Sequence, residues 1–177
     1  SYTGVGKNIE NLSFRLQHGQ TLGILGGTGS GKTTILNLLM RLYDVDFGSI
    51  TIDGVDLREI SNADLHRQIG VVLQDTVMFS GTIGANLRYA RPDATDEEVM
   101  EAARIASAHQ FIIKYPEGYE TMVGERGVTL SGGQKQRAAI ARMLSQETPI
   151  MIFDDSLSAV DTQTDARIRQ AIGKRFG

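Results

Sequence analysis

The sequence predicts an α/β domain with a mostly parallel sheet, interrupted by a helical insertion. Three observations predict it. Short apolar runs of strand length recur at residues 21–25 (TLGIL), 49–52 (SITI), 69–73 (IGVVL) and 150–153 (IMIF). Stretches with helical spacing alternate with these runs. A helical middle carrying its own capping signals separates the third run from the fourth.

The elements follow in order. Run 21–25 is bounded by glycine and reads as a buried strand, and six of the twenty glycines lie between Gly19 and Gly31. Behind that cluster, residues 32–42 place Ile35, Leu36, Leu38, Leu39 and Leu42 on a helical stripe. In the middle, Thr95 and Glu98 have the spacing of a capping box, and Val99, Ala102, Ala103 and Ala106 follow at helical intervals. Ser131 and Gln134 form a second box, opening a helix that runs through residues 138–144. A third helix is expected over residues 162–176. Internal repeats and low-complexity tracts are absent from the sequence.

Composition narrows the function classes. A chain of 177 residues and 19.3 kDa suits one domain. A net charge of −3 and a pI near 5.6 argue against a nucleic-acid binder that relies on a broad basic face. The lack of cysteine removes disulfides, thiolate metal sites and a cysteine nucleophile. The longest apolar runs are strand-sized, far below the ~18–20 residues that cross a bilayer. The first ten residues lack the apolar core of a signal peptide.

Gly26, Gly27, Thr28, Gly29, Ser30, Gly31, Lys32 and Thr33 fit the phosphate-loop pattern G-x-x-x-x-G-K-[ST], with Thr34 next, between a strand-like run and a helix. Each feature has a physical purpose. Glycines without Cβ let the backbone curl so that its N–H groups point at an anion. The helix behind directs its N-terminal dipole at the same anion. Lys32 can bridge β- and γ-phosphates, and the Thr33 hydroxyl suits Mg²⁺, a hard cation. A bare glycine-rich turn with a surface lysine is the competing reading, and the strand-loop-helix context weighs against it. The pattern implies that residues 26–34 bind the triphosphate of ATP with Mg²⁺.

A second constellation discriminates among phosphate-loop proteins. Leu130, Ser131, Gly132, Gly133 and Gln134 spell LSGGQ, followed by Lys135, Gln136 and Arg137. A serine hydroxyl, two unhindered glycine N–H groups and a helix N-terminus make this a further anion site, although it would cap a helix without any ligand. With this segment the chain resembles the nucleotide-binding domain of ABC (ATP-binding cassette) transporters, over essentially its whole length. That resemblance implies a P-loop NTPase, RecA-like core at residues 1–74 and 138–177 and a helical subdomain at 75–137. It assigns Gln74 to the loop glutamine that contacts Mg²⁺ and the attacking water. Asp154, after the run IMIF, matches the metal-coordinating Walker B aspartate. Asp161, in Ser158-Ala159-Val160-Asp161, matches the D-loop. Tyr2 matches the aromatic that stacks on adenine.

Two stretches are similar to exporter-type members: Phe79-Ser80-Gly81-Thr82-Ile83, where the helical subdomain meets the membrane domain, and residues 121–127 (TMVGERG), the X-loop. The resemblance implies a head-to-tail partner, a second nucleotide-binding domain whose phosphate loop faces Ser131, Gly132, Gly133 and Gln134. It further implies a transmembrane domain, placement at the cytoplasmic face of a membrane, and no nucleic-acid partner. A soluble ABC-type ATPase with a regulatory or nucleic-acid-associated role is the rival, and the two exporter stretches weigh against it.

Two departures matter. The family's catalytic base after the Walker B aspartate is glutamate, and here it is Asp155, one methylene shorter. Either the swap still works, or the site is the slow half of an unequal pair in a heterodimeric exporter; the second reading is favoured. The family's switch histidine belongs some thirty residues beyond Asp154, whereas His18, His66 and His109 all precede it. The chain is therefore expected to be a C-terminally truncated domain that binds Mg-ATP and, by itself, hydrolyses it slowly.

Overall fold

The computed structural model describes residues 9–155 and 158–176. The chain divides into two compact units, residues 1–67 and 68–177. Tyr2 lies outside the described residues.

In the first unit, residues 21–25 form no ladder, and Leu22, Ile24 and Leu25 are exposed. An apolar run expresses a preference for burial, but a strand exists only where a neighbour supplies hydrogen bonds, and no described residue pairs with this segment. The expected strand there is thus corrected to an extended segment leading into the phosphate loop. Helix α1 (Lys32–Leu39) follows. It ends earlier than the apolar stripe suggests because Arg41 turns left-handed, at φ 50°. The amide of Leu42 then donates to the Asn37 carbonyl at 2.9 Å and that of Arg41 to Leu38 at 3.1 Å, a Schellman ending. The Arg41 guanidinium secures that ending by donating to the carbonyls of Leu57 (3.0 Å) and Ile60 (2.8 Å).

Run 49–52 supplies only β1 (Thr51–Ile52), which pairs antiparallel with β2 (Val55–Asp56). Asp53 and Gly54, both at positive φ, make the two-residue turn between them. Asp56 then caps a 3₁₀ turn, Leu57–Glu59, by accepting from the Arg58 amide. The Arg58 guanidinium bound to the Asp56 carboxylate holds its pKa down to about 2. Helix α2 (Asn62–Gln68) spans the boundary between the units.

The second unit contains the parallel pair. β3 (Ile69–Val72) lies beside β6 (Ile150–Phe153), with Ile69 opposite Ile150 and Val72 opposite Phe153. Gly70 allows close packing here, since a Cβ would fall 2.6 Å from the Thr148 hydroxyl and 2.7 Å from Met143 Cγ. Short strands β4 (Gly81–Thr82) and β5 (Met122–Val123) pair antiparallel. Helices α3 (Ile83–Leu87), α4 (Asp96–Ile105), α5 (His109–Ile112), α6 (Gly132–Leu144) and α7 (Thr162–Phe176) complete the unit. Both expected capping boxes are present, Thr95 with Glu98 on α4 and Ser131 with Gln134 on α6. The core is built from Ile83, Leu87, Val99, Ile112, Ile140 and Ile168, all essentially without solvent contact. At ~25 cal/mol per Å² of apolar surface, each such side chain contributes about 1.5–3 kcal/mol, so this helical layer is a firm support for the loops at its edge.

Candidate nucleotide site

The phosphate loop belongs to the first unit. Gly29 (φ 79°) and Gly31 (φ 95°) sit in the left-handed region that glycine enters without strain. Gly31 stands at the N-cap of α1 without a side-chain cap, which leaves first-turn N–H groups available to an anion. A turn closes the loop, with the Ser30 amide donating to the Gly27 carbonyl at 3.2 Å. The Lys32 ammonium folds back over it, donating to the carbonyls of Gly26 and Gly27 (2.8 Å for the latter) and to Ser30 Oγ at 3.3 Å. Thr33 is exposed beside it. The loop thus gathers one mobile cation and free backbone donors, the requirements for a polyphosphate.

The second unit carries the other candidate residues. The β3–β6 ladder continues one step past the strand, as the Asp154 amide donates to the Val72 carbonyl at 2.9 Å. This fixes Asp154 at the carboxyl edge of the parallel pair, where the chain beside it turns into Leu73 and Gln74. Ligands bind at such edges in α/β sheets. Asp155 follows at φ 47° and is exposed, and its carbonyl accepts from the Ser158 amide at 3.2 Å.

Ser131 N-caps α6: its hydroxyl oxygen accepts from the Gln134 amide at 3.2 Å, and Gln134 Oε1 accepts from the Ser131 amide at 2.9 Å. The box consumes those donors but leaves the amides of Gly132 and Gly133, with the Ser131 hydroxyl proton, to an outside acceptor. Gly133 also lets the helix start approach Ala159, because a Cβ would lie 2.8 Å from the Ala159 carbonyl oxygen. Asp161 caps α7, accepting from the Thr164 amide at 3.0 Å. Hydrogen bonds from the Thr164 hydroxyl and amide hold its carboxyl below the usual range.

The two stretches with exporter character come together. They pair as β4 with β5, and the Ile83 amide donates to the Thr121 carbonyl at 2.9 Å. Gly127 is required there, since a Cβ would overlap the Met122 carbonyl at 2.2 Å. Two residues that sequence reasoning passed over build the neighbouring loop. Buried Asn86 binds both backbone groups of Phe79 at 2.8 Å, and Arg142 reaches the carbonyls of Asn86 (2.9 Å) and Val77 (3.0 Å). The only sequence signal would have been an asparagine and an arginine among apolar helical neighbours. Phe79 and Tyr89 stack with centroids 4.3 Å apart, and the Arg142 guanidinium lies 5.4 Å from the Phe79 ring. Burial pushes the Arg142 pKa down from its ordinary value. Val77, Phe79, Tyr89 and Met122 remain exposed.

For the metal, the candidate donors are a threonine hydroxyl, a glutamine amide and the Asp154 carboxylate, all hard oxygens that suit Mg²⁺. No group of three acidic or histidine residues able to hold a metal by itself occurs among the described residues. Oxygen donors of this kind suit an ion that arrives with phosphate oxygens and keeps several waters.

Comparison with known proteins identifies the family. A family model described as ABC transporter matches residues 9–158. A putative multidrug export ATP-binding/permease protein, YgaD of Bacillus subtilis, is 47% identical over 94% of this chain and 29% of its own length. Heavy metal tolerance factor 1 of Caenorhabditis elegans is 49% identical over 94% of this chain and 21% of its own. A solved bacterial Atm1-family ABC exporter with ATP bound superposes with a TM-score of 0.93 at 42% identity, covering 100% of this chain and 31% of that one. The chain belongs to the ABC transporter family, as one of its ATPase domains. It spans between a fifth and a third of the length of these relatives. No helix among the described residues is long and apolar enough to cross a membrane.

Proposed function

We propose that the chain is the ATP-hydrolysing motor of an exporter, working at the cytoplasmic face of a membrane by ATP-dependent pairing with a second nucleotide-binding domain. One observation supports this reading: two helices of the chain each begin at a glycine-containing segment whose amides suit an anion. Residues 26–34 precede α1, and Ser131, Gly132 and Gly133 open α6. A head-to-tail pair uses one of each per ATP. Lys32 and the loop amides grip the phosphates, Thr33 and Asp154 with Gln74 hold Mg²⁺, and Gln74 with Asp155 orients the attacking water. Magnesium supplies charge neutralisation at the transferred phosphoryl group. Asp161 belongs to the same partner-facing edge, and the exposed Phe79–Tyr89 surface with Val77 and Met122 is the apolar seat for the transmembrane domain. The RecA-like core comprises residues 1–74 and 138–177, with the helical subdomain between them. Tyr2 supplies adenine stacking, and the site is the slower of an unequal pair.

The test uses the full-length protein in lipid vesicles. Lys32→Ala should abolish nucleotide binding to the chain's own loop. Ser131→Arg should leave that binding within about twofold and lower ATP turnover at least roughly tenfold, because it strikes the partner's ATP. Loss of binding in both variants, or unchanged turnover in Ser131→Arg, overturns the paired-site reading.

A further inference from the structure

Gln136 sits two residues beyond the LSGGQ segment, on α6, and is 4% exposed. A buried primary amide must satisfy a donor and an acceptor end. Its Oε1 accepts from the Ala159 amide at 2.9 Å. Its Nε2 donates to Ser158 Oγ at 3.2 Å and, more weakly, to the Gln74 carbonyl at 3.4 Å. The orientation of the amide is fixed by its partners, because a backbone N–H can only donate and a carbonyl can only accept. One side chain therefore ties three segments: the start of the LSGGQ helix, the backbone of Gln74, and Ser158-Ala159.

A second contact brings two of those segments together. Gly133 approaches the Ala159 carbonyl so closely that a Cβ would stand 2.8 Å from its oxygen, while at Gly132 a Cβ would stand 3.6 Å from the Ala159 Cβ. The helix start and residues 158–159 are thus clasped at two points, one polar through Gln136 and one by the lack of a side chain at Gly133. Neither contact touches the phosphate loop, and both lie within the second unit.

We propose that Gln136 is a positioning residue for ATP hydrolysis: its amide sets the backbone of Gln74 and of Ser158-Ala159 in register with the LSGGQ helix. This rests on the reading of the chain as an ATPase motor. Removing the amide leaves the phosphate grip intact but lets Gln74 and Asp155, whose carbonyl accepts from the Ser158 amide, drift relative to Ser131. Drift of that kind lowers the rate of the chemical step, not the affinity for ATP.

The experiment compares Gln136→Met, Gln136→Glu and Ser158→Ala in the full-length transporter with Mg-ATP. Methionine matches the volume and makes neither hydrogen bond, so kcat should fall roughly tenfold while KM for ATP stays within about twofold. Gln136→Glu keeps the acceptor for Ala159 and, once protonated, regains a donor, so its kcat should recover as pH is lowered where the wild type shows no such gain. Ser158→Ala, at an exposed residue, tests the donor contact without altering the buried side chain; its effect should not add to that of Gln136→Met. If Gln136 only packs the core, Gln136→Met will lower the melting temperature with kcat per folded molecule unchanged, and the proposal falls. Additive effects of Gln136→Met and Ser158→Ala also overturn it. Absence of ATP turnover in the wild type would instead defeat the motor reading itself.

Discussion

Asp155 combines two properties that bear on catalysis. Its carboxylate is one methylene shorter than the glutamate the family uses, and its backbone stands at φ 47°. Aspartate enters the left-handed region more readily than glutamate, because its short side chain can bond locally. The left-handed backbone at Asp155 therefore favours the residue that is present, while reach to a water is reduced. In the full-length transporter with the partner site disabled, Asp155→Glu should raise ATP turnover several-fold despite the local strain. An unchanged rate would show that the shorter carboxylate is already sufficient, and the unequal-pair reading would fail.

The elements show why some structure was legible in the sequence. Capping boxes are written locally: Thr95 with Glu98 and Ser131 with Gln134 depend on residues three apart, so both helix starts were readable. Thr95→Ala should destabilise the second unit by about 1 kcal/mol, measured by urea denaturation, with no change in ATP affinity. β6 was legible as well, because IMIF is a short apolar run whose ladder partner, β3, is another. Run 21–25 had the same appearance and forms no ladder among the described residues, because pairing depends on a neighbour that a five-residue window does not contain. The Asp53-Gly54 turn carried a local signal that the apolar-run reading overlooked. Among candidate site residues, the loop Gly26 to Thr34, Asp154 and the LSGGQ segment could be nominated from the sequence because each pattern is contiguous. Asn86, Gln136 and Arg142 were not, since their partners lie 7, 22 and 56 residues away.

At the scale of the whole molecule, two limbs of the pH dependence follow from one pair, His109 on α5 and Tyr119 in the 3₁₀ turn Gly118–Glu120. His109 Nδ1 and the Tyr119 hydroxyl are 2.8 Å apart. Burial pushes the His109 pKa below 6.5, with Arg104 adding to the effect, and raises the Tyr119 pKa to about 12 from 10.0. Below pH 6.5 the unfolded chain takes up the histidine proton more readily than the folded one, so stability should fall as pH drops through that value. Between pH 10.0 and about 12 the unfolded tyrosine ionises first, so stability should fall again. Melting temperature against pH should therefore show a plateau between these limbs. His109→Gln should flatten only the limb just below pH 6.5, leaving the loss at lower pH from Asp56 and Asp161, and Tyr119→Phe should flatten the alkaline one; limbs unaffected by either change would refute the assignment.

Helix α6 also has a mechanical property. Near its start lie Ser131 and Gln136, and near its end Arg142 holds the loop that displays Phe79. Eleven residues at ~1.5 Å each make a rod of about 16 Å between Ser131 and Arg142. Residues 132–144 form one continuous helix and contain no proline, so it passes on rotation as a rod. A tilt of about 7° about its midpoint would shift both ends by about 1 Å in opposite directions. A lever of that kind needs no chain of intermediate rearrangements: a push on its first turn is already a pull on its last.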